Sequence, residues 1–346
     1  MTSSPSNLDT GRPEPLSGWV SIANLLTAPA LLLAGVWAIL FAIHTALPYI
    51  RAGADVILAA KVQAIRTAGL FRREAPIRVA VFGNSKTLSG FQPRLFDELS
   101  GAVASSYNFG QPALLSFTGL LEQLCERGEC PTHALLLFPW PDSEATSPDL
   151  LHPAIDDRAW METLFPFRNL PRDALIFAVR ATGKGGVAAA YEEARRQANL
   201  MLSDRGYYFI EGQSNYPGHR LPDDFRLRSD DPGRSFARSA SFQAPEFRRM
   251  RELMTRYGVA VHFVPAYFRE GEFAPPDASS PLAQSLREYP GISMRGPEYW
   301  LFPNRQFSDA LHLNPGGAGT YTRRLWELLG PELEQAARDI RRTGRP

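Results

Sequence analysis

The stretch IRVAVFGNS, residues 77–85, decides the fold. Its first six residues are rich in Ile and Val and predict a short strand, and Gly83-Asn84-Ser85 predicts a tight turn directly after it. Residues 93–99 then have the pattern of a short helix. Strand, tight turn and helix in this order are how an α/β sheet begins.

The same alternation continues along the chain. The later units are a strand ending at Tyr107-Asn108-Phe109-Gly110, a helix over 114–125, a strand over 134–138, a helix over 246–257, a strand over 259–264 and a final helix from Pro315 to Leu329. Asn314 is the candidate N-cap of that last helix, and Gly330 follows its end. This alternation predicts one α/β domain over 76–332, with a mostly parallel sheet flanked by helices and a C-terminal tail over 333–346.

Two long insertions interrupt the predicted domain, near 142–173 and 206–238. Loops of this length are usually functional lids or insertions. The second contains Tyr207 and Tyr216, which are candidate substrate-binding residues if the insertion lines a groove. A plain surface excursion is the alternative, and the sequence leaves both interpretations open.

The amino-terminal part contains the most apolar segment of the chain. Between Glu14 and Arg51, 36 residues contain no acidic or basic side chain other than His44. Because about 20 helical residues cross a hydrocarbon core of about 30 Å, the segment predicts one transmembrane helix over 19–50, preceded by a disordered tail over 1–18. A cleaved signal peptide is the rival interpretation, but its apolar region is usually shorter.

The segment over 51–75 continues a helical pattern, with basic residues interleaved. It is either a stalk or interfacial helix, or a first helix packed on the globular domain. Arg51, Lys61 and Arg66 follow the apolar segment, whereas Arg12 is the one basic residue before it. By the positive-inside rule alone, this bias favours a cytoplasmic carboxy-terminal domain.

Overall charge and cysteine content exclude or disfavour several classes of protein. The 37 Lys and Arg residues against 36 Asp and Glu give a net charge of +1, which disfavours a nucleic-acid partner. A metal centre is not expected, because the histidines are scattered and the cysteines form no CxxC pair. Cys125 and Cys130 either close a small disulfide loop outside the cytoplasm or are two unrelated thiols.

Ser85 is the candidate nucleophile. In an open parallel sheet, ligands bind beyond the carboxyl ends of the strands, and Ser85 follows the first strand. A phosphate loop is rejected for Lys86-Thr87, since Ala80 and Ser85 occupy the positions where that motif requires glycine. A serine hydroxyl is a weak nucleophile, so it needs a histidine to accept its proton and an acid to orient that histidine.

His312 is the candidate base among the six histidines. Asp309-Ala310-Leu311-His312 lies immediately before the final helix, where the chain turns over the edge of the sheet. A spacing of three residues in a turn lets the carboxylate reach one ring nitrogen while the other points toward a neighbouring loop. Ser85, Asp309 and His312 are therefore predicted to be the catalytic residues.

These motifs resemble the SGNH (GDSL-like) hydrolase superfamily. The resemblance is carried by Gly83-Asn84-Ser85, Asn108-Phe109-Gly110 and Asp309-x-x-His312, and it covers about 77–329. The arrangement is most similar to the membrane-anchored branch that O-acetylates alginate and related exopolysaccharides or D-alanylates teichoic acids. It implies a three-layer, flavodoxin-like α/β fold.

The resemblance also implies roles for individual residues. Ser85 would be the nucleophile, His312 the general base and acid, and Asp309 its orienting partner, while Asn84 and Asn108 would contact substrate. The backbone N–H groups of Ser85 and Gly110 would form the oxyanion hole. Asn84 replaces the usual aspartate, and Pro139-Trp140-Pro141-Asp142 stands where the family has a Gly-x-Asn-Asp block, which removes one oxyanion donor.

The expected function is that of a serine-dependent acyl-ester hydrolase or O-acetyltransferase acting on acyl groups, chiefly acetyl, of a cell-envelope polysaccharide. The expected partners are the lipid bilayer, the polysaccharide and a membrane-bound acyl donor protein, with no cofactor. The resemblance implies a bacterial inner-membrane protein with a periplasmic catalytic domain. The alternatives are a non-catalytic scaffold in a polysaccharide assembly or export complex, and an ordinary lipase or esterase.

Overall fold

The computed structural model describes most of the predicted α/β domain and part of the apolar segment. The described residues are 18–50, 69–111, 117–137, 170–209, 214–228, 245–272 and 292–343, with a few isolated residues between them. The predicted tail over 1–18 apart from Gly18, most of the first insertion and residues 139–142 lie outside the described residues.

The central sheet has five parallel strands. They are β1 (Ile77–Gly83), β2 (Ala104–Gly110), β3 (His133–Leu137), β4 (Ala260–Val264) and β6 (Ile292–Met294), in the order β2-β1-β3-β4-β6. Two further strands, β5 (Ala266–Arg269) and β7 (Tyr299–Phe302), pair in parallel as a small second sheet. The order of the central sheet reverses between β1 and β3, and in doubly wound sheets ligands bind outside the carboxyl ends at such a point.

Eight helices are described. They are α1 (Gly18–Ala46), α2 (Ser85–Gly90), α3 (Pro93–Leu99), α4 (Phe117–Glu126), α5 (Leu170–Thr182), α6 (Val187–Ser203), α7 (Pro245–Tyr257) and α8 (Pro315–Thr343). A short 3-10 turn, Pro48–Ile50, follows α1.

The core has one layer on each face of the sheet. On one face, α4 and α7 pack on alternate strand residues such as Ala80, Phe82 and Phe263. On the other face, α3 and α8 cover Val79 and Val81. Since the strands are buried on both faces, they consist of continuous apolar runs, as parallel strands usually do. The α/β class, with a mostly parallel sheet flanked by helices, is confirmed.

The final helix is longer than the sequence pattern predicts. It continues through Gly330 and Pro331 to Thr343, so the prediction of an end near Leu329 and a tail over 333–346 is wrong. Leu333 and Ala337 extend the spacing of four residues set by Leu325 and Leu329, and both are buried in the core. Burial of this apolar stripe outweighs the stop signal of Gly330 and Pro331.

The amino-terminal helix α1 is long and apolar enough to cross a membrane. Its segment Thr27–Ala46 has 20 residues, a mean hydropathy of 1.9 and no buried part. After it, the chain packs on the domain: Ala64 and Ile65 belong to the core, and the ammonium of buried Lys61 donates to the carbonyl oxygen of Gly110. The described residues of 51–75 therefore favour a packed first helix over a free stalk.

Candidate active site

Ser85 lies at the carboxyl end of β1, as the first residue of α2. Asn84 is the N-cap of this helix, and its side-chain oxygen accepts the backbone N–H of Lys86 at 2.9 Å. The close approach of α2 to β1 requires glycine at position 83, where a Cβ atom would lie 1.9 Å from Thr87 Oγ1. Cap and glycine together fix where α2 begins, and so the position of Ser85 at the end of β1.

Asp309 and His312 lie in the turn before α8. Phe307 and Leu313 form an antiparallel bridge at the base of this turn, and Ser308 N–H donates to the His312 carbonyl oxygen at 2.8 Å. Asn314 caps the helix as predicted, since its side-chain oxygen accepts the N–H of Gly317 at 2.9 Å. We refer to residues 307–313 as the histidine turn.

The structure brings the three predicted catalytic residues together, although they are up to 227 positions apart in the chain. His312 Nε2 lies 2.9 Å from Ser85 Oγ, and His312 Nδ1 lies 2.9 Å and 3.0 Å from the two carboxylate oxygens of Asp309. All three distances are within hydrogen-bond reach. This is the order of a serine nucleophile, a histidine base and an orienting acid.

The carboxylate of Asp309 is held in its charged form. Burial raises its pKa, but the hydrogen bonds from the His312 ring and from the N–H groups of Leu311 and His312 outweigh burial, so the pKa is lowered overall. An ionised Asp309 accepts a hydrogen bond from the Nδ1–H of His312, and in this tautomer Nε2 carries no proton and can accept the one from Ser85.

Of the two predicted oxyanion donors, Ser85 N–H suits the role and Gly110 N–H does not. Ser85 is the first helical residue, so its N–H has no partner within the helix. Gly110 N–H instead donates to Asn108 Oδ1 at 2.8 Å. A Cβ atom at Gly110 would lie 2.2 Å from the backbone nitrogen of Leu88, so glycine is needed here for the packing of α2 on β2.

The four candidate substrate-binding residues all make contacts within the protein. Asn108 is fully buried, and its amide donates to the carbonyl oxygens of Thr87 and Phe91, both at 2.8 Å. Asn84 is the helix cap. Tyr207 and Tyr216 are half-buried against the core, where burial raises the pKa of Tyr207 to about 12 and Tyr216 packs edge-on against Phe225. The prediction of substrate contact for Asn108 is wrong, because β2 needs its amide to hold α2.

A cluster of four charged side chains, which the sequence pattern does not predict, lies beneath the site. These residues are Lys86, Asp230, Arg269 and Glu272. Arg269 is 1 % exposed; it donates to both carboxylate oxygens of Asp230 at 2.8 and 3.1 Å, and its Nε donates to the carbonyl oxygen of Ala310 at 2.9 Å. Arg269 thus links the end of β5 to the middle of the histidine turn.

Lys86 follows the nucleophile and points into the protein. Its ammonium donates to the Tyr267 carbonyl oxygen at 2.8 Å and lies 4.0 Å from the centre of the Phe268 ring. Burial lowers the pKa of Lys86 to about 7, while the carboxylates of Glu272 and Asp309 oppose this shift. The one sequence signal for this cluster is the placement of charged residues beside apolar strand residues, at Lys86 and Arg269.

The described part of the second insertion supports the histidine turn. Leu221 N–H donates to the Phe307 carbonyl oxygen at 3.0 Å, and the Asn314 amide donates to the His219 carbonyl oxygen, also at 3.0 Å. The Asn304 amide donates to the carbonyl oxygens of Asp223 and Phe225. The insertion therefore holds the turn in place.

Among the described residues, no group of three or more His, Cys, Asp or Glu side chains is arranged to hold a metal ion. Comparison with known proteins identifies no relative: no protein-family model, curated protein or solved structure matches the chain. The interpretation of the site therefore depends on its own geometry.

Proposed function

We propose that the chain is a membrane-anchored, serine-dependent acyl-ester hydrolase or O-acetyltransferase of the SGNH type, acting on O-acyl groups of a cell-envelope polysaccharide. The observation that carries the proposal is the continuous hydrogen-bonded series from Ser85 Oγ through the His312 ring to the Asp309 carboxylate. The substrate class and the acetyl group rest on the motif resemblance alone.

The proposed reaction has two steps. Ser85 Oγ attacks the acyl carbonyl carbon while its proton passes to His312 Nε2, and Ser85 N–H donates to the developing oxyanion. The alcohol leaves with the proton from His312, and an acyl-serine ester remains. In the second step a sugar hydroxyl or water attacks the acyl-serine ester while His312 Nε2 takes its proton. The bond to Ser85 Oγ then breaks, His312 returns the proton to Ser85 Oγ, and the acylated sugar or the free acid is released.

Two observations support an extracytoplasmic domain held close to a membrane. Cys125 and Cys130 form a disulfide, and disulfides persist in oxidising compartments. Tyr49, which follows α1, packs in the same apolar cluster as Leu88 of α2, the helix that begins at Ser85. We therefore propose a single-pass inner-membrane protein with a periplasmic site near the bilayer, although the basic residues that follow the apolar segment favour the opposite orientation. The proposed partner is a membrane-bound acyl donor protein.

The second candidate is a non-catalytic scaffold in a polysaccharide assembly or export complex. It is favoured by the engagement of Gly110 N–H with Asn108, which leaves Ser85 N–H as the one predicted oxyanion donor available to substrate. Loss of one such donor lowers rates by about 10²–10³-fold in hydrolases. A scaffold predicts complex assembly without turnover.

The deciding experiment measures acetyl-ester hydrolysis and acetyl transfer to an oligosaccharide by the full-length chain in lipid. Ser85→Ala and His312→Ala are each expected to lower turnover by at least about 10³-fold. Ser203→Ala is the matched control, since Ser203 is exposed on α6. Turnover that survives both site substitutions overturns the assignment, and absence of turnover by the unsubstituted chain on simple esters and oligosaccharides favours the scaffold.

A further inference from the structure

Strand β5 contacts both halves of the candidate active site. Tyr267 and Arg269 are the second and fourth residues of this strand. The Tyr267 carbonyl oxygen accepts a hydrogen bond from the ammonium of Lys86, the residue directly after the nucleophile. Arg269 Nε donates to the Ala310 carbonyl oxygen in the histidine turn. The spacing between the serine and the histidine turn therefore depends on two basic side chains, one bonded to β5 and one belonging to it.

Lys86 and Tyr267 are joined by a hydrogen bond in each direction. The Lys86 ammonium donates to the Tyr267 carbonyl oxygen at 2.8 Å, and the Tyr267 hydroxyl donates to the Lys86 carbonyl oxygen at 2.9 Å. The ammonium also lies 4.0 Å from the centre of the Phe268 ring. Because Lys86 is 3 % exposed and Tyr267 is fully buried, water does not compete for these bonds. The two bonds hold the first turn of α2, and with it Ser85, against β5.

The strength of this contact depends on the charge of Lys86. A charged donor forms a stronger hydrogen bond than a neutral one, and an aromatic face attracts an amine chiefly when the amine is charged. Among the described residues, the charged groups that act on this ammonium are the carboxylates of Glu272 and Asp309, which favour its charge, and Arg269, which opposes it. Arg269 is itself paired with Asp230. Burial has the largest effect and lowers the pKa of Lys86 to about 7.

Lysine is a rare choice of basic residue in this chain. Three of its 37 basic residues are lysines, namely Lys61, Lys86 and Lys184. A guanidinium such as that of Arg269 keeps its charge at every pH at which proteins work, whereas a buried ammonium can lose its proton. Of the two basic side chains that tie the site to β5, one therefore has a permanent charge and the other has a charge that depends on pH.

We propose that Lys86 is a positioning residue for the nucleophile, and that it holds Ser85 in place through its protonated ammonium. Deprotonation would weaken the contact with β5 and let the first turn of α2 move relative to the histidine turn. The reaction then needs two opposite protonation states, because His312 must be neutral to accept the serine proton while Lys86 must be charged. This inference rests on the proposed hydrolase or transferase function and adds an upper pH limit to it.

The test is the pH dependence of kcat/KM for phenyl acetate, a small ester that needs no glycan, with the full-length chain in lipid. Ser85→Ala gives the background. For the unsubstituted chain we expect a bell-shaped profile, with a fall of at least about tenfold between pH 7 and pH 9. Lys86→Met removes the charge from a side chain of similar length. It is expected to lower kcat/KM by about 10–100-fold at pH 6.5 and to abolish the alkaline fall, while the rise at lower pH remains.

A second variant tests the charge of Lys86 without changing Lys86. Glu272 is the carboxylate that most strongly favours the charged ammonium. Glu272→Gln is therefore expected to move the alkaline fall to lower pH by at least about 0.5, whereas a purely structural role of Lys86 predicts no movement.

Lys61→Met is the matched control. Lys61 is also buried and donates to a backbone carbonyl oxygen, and burial alone lowers its pKa. Its loss is expected to lower the melting temperature and to leave the alkaline fall in place. Thermal unfolding of every variant at pH 6.5 and pH 8.5 shows whether a fall in rate comes from unfolding.

The outcomes separate this inference from the proposed function. Turnover that depends on Ser85 but stays level up to pH 9, or an alkaline fall that persists in Lys86→Met, overturns the role of Lys86 and leaves the proposed function intact. An alkaline fall that coincides with unfolding, or that Lys61→Met also abolishes, overturns the role as well. If Lys86→Met does not fold, an unmoved alkaline fall in Glu272→Gln overturns it. Turnover that is equal in the unsubstituted chain and in Ser85→Ala overturns the proposed function and this inference together.

Discussion

Arg269 connects three parts of the molecule at the site. Its guanidinium pairs with Asp230 of the second insertion and donates to the Ala310 carbonyl oxygen in the histidine turn, while its backbone belongs to β5. The two terminal nitrogens of its guanidinium donate to Asp230 and Nε donates to Ala310, a fixed planar arrangement that the single nitrogen of an ammonium does not reproduce. Arg269 is thus a positioning residue for His312.

Arg269→Lys is expected to lower kcat by about 10–100-fold with little change in KM, because a displacement of the histidine turn by about 1 Å costs up to about 10²-fold in rate. Thermal unfolding of the same variant shows whether a lower kcat comes from a displaced histidine turn or from a less stable fold. Arg305→Lys is the matched control, since Arg305 is exposed and lies 3.9 Å from Asp223. Equal rates in the two variants would show that the histidine turn keeps its position without Arg269.

Adding one methyl group at Gly110 distinguishes a packing role of this residue from a role in the oxyanion hole. A Cβ atom there would lie 2.2 Å from the Leu88 nitrogen, so Gly110→Ala is expected to destabilise the fold by about 1–3 kcal/mol through overpacking. Denaturant unfolding measures this loss. The control is Gly183→Ala, where a Cβ atom would meet nothing closer than 3.9 Å. A loss of activity at unchanged stability would instead restore the predicted oxyanion role.

The sequence predicts those residues of the site whose placement follows from their neighbours in the chain. Ser85 directly follows a strand, and Asp309 and His312 share one turn, so position and spacing suffice for them. Asp230, Arg269 and Glu272 come from separate segments, and their proximity arises only when the sheet and the second insertion are assembled. Gly110 was misinterpreted because a glycine at the end of a strand suits both a free N–H donor and a close backbone approach.

Strands β3 and β4 bring two buried histidines together. The rings of His133 and His262 stack with centroids 5.6 Å apart, and their Nδ1 atoms lie beside the hydroxyls of Thr132 and Ser293. Burial, together with the charge of Arg295, lowers the pKa of His133 to about 4; burial, the neighbouring His133 and Arg295 lower that of His262 to about 3. Both rings are therefore neutral in the folded protein at neutral pH.

This pair predicts loss of stability in mild acid. Below about pH 6.5 the unfolded chain binds protons at both histidines, whereas the folded chain binds them only near pH 4 and pH 3, so the free energy of unfolding falls across this window. Each histidine contributes a slope of up to about 1.4 kcal/mol per pH unit. Denaturant unfolding at pH 7 and pH 4.5 should show a smaller loss for His262→Gln than for the unsubstituted chain. Equal losses would contradict the lowered pKa values.

The repeating helix and strand units were predictable because each has a clear apolar period. Helix α3 has the predicted bounds, whereas β3 begins one residue before and β4 one residue after the predicted position. The second sheet was not predicted, because β5 follows β4 after the single residue Pro265 and the two together look like one apolar segment. Helices α5 and α6 were not predicted; they pack on each other, and Ile50 of the amino-terminal part joins the same apolar cluster.

At the scale of the whole molecule, the segment that precedes the first strand is part of the packed domain. Ile65, Leu70 and Phe71 lie in the core although they precede the first strand. A chain that begins at residue 76 is therefore expected to be less stable than one that begins at residue 51, by at least about 5 kcal/mol, at about 1.5–3 kcal/mol for each buried large side chain. Denaturant unfolding of the two truncated chains measures the difference. Equal stability of the two chains would favour the interpretation of residues 51–75 as a free stalk.

The central claim is that Ser85 is a nucleophile activated by His312. Its most direct test is covalent capture: the full-length chain is treated with a fluorophosphonate, which reacts with activated serines, and the adduct is located by peptide mass spectrometry. The account predicts one adduct, on Ser85, that is absent in Ser85→Ala and forms at least about 10²-fold more slowly in His312→Ala. An unmodified Ser85 in the folded chain, or an adduct that forms equally fast without His312, would contradict it.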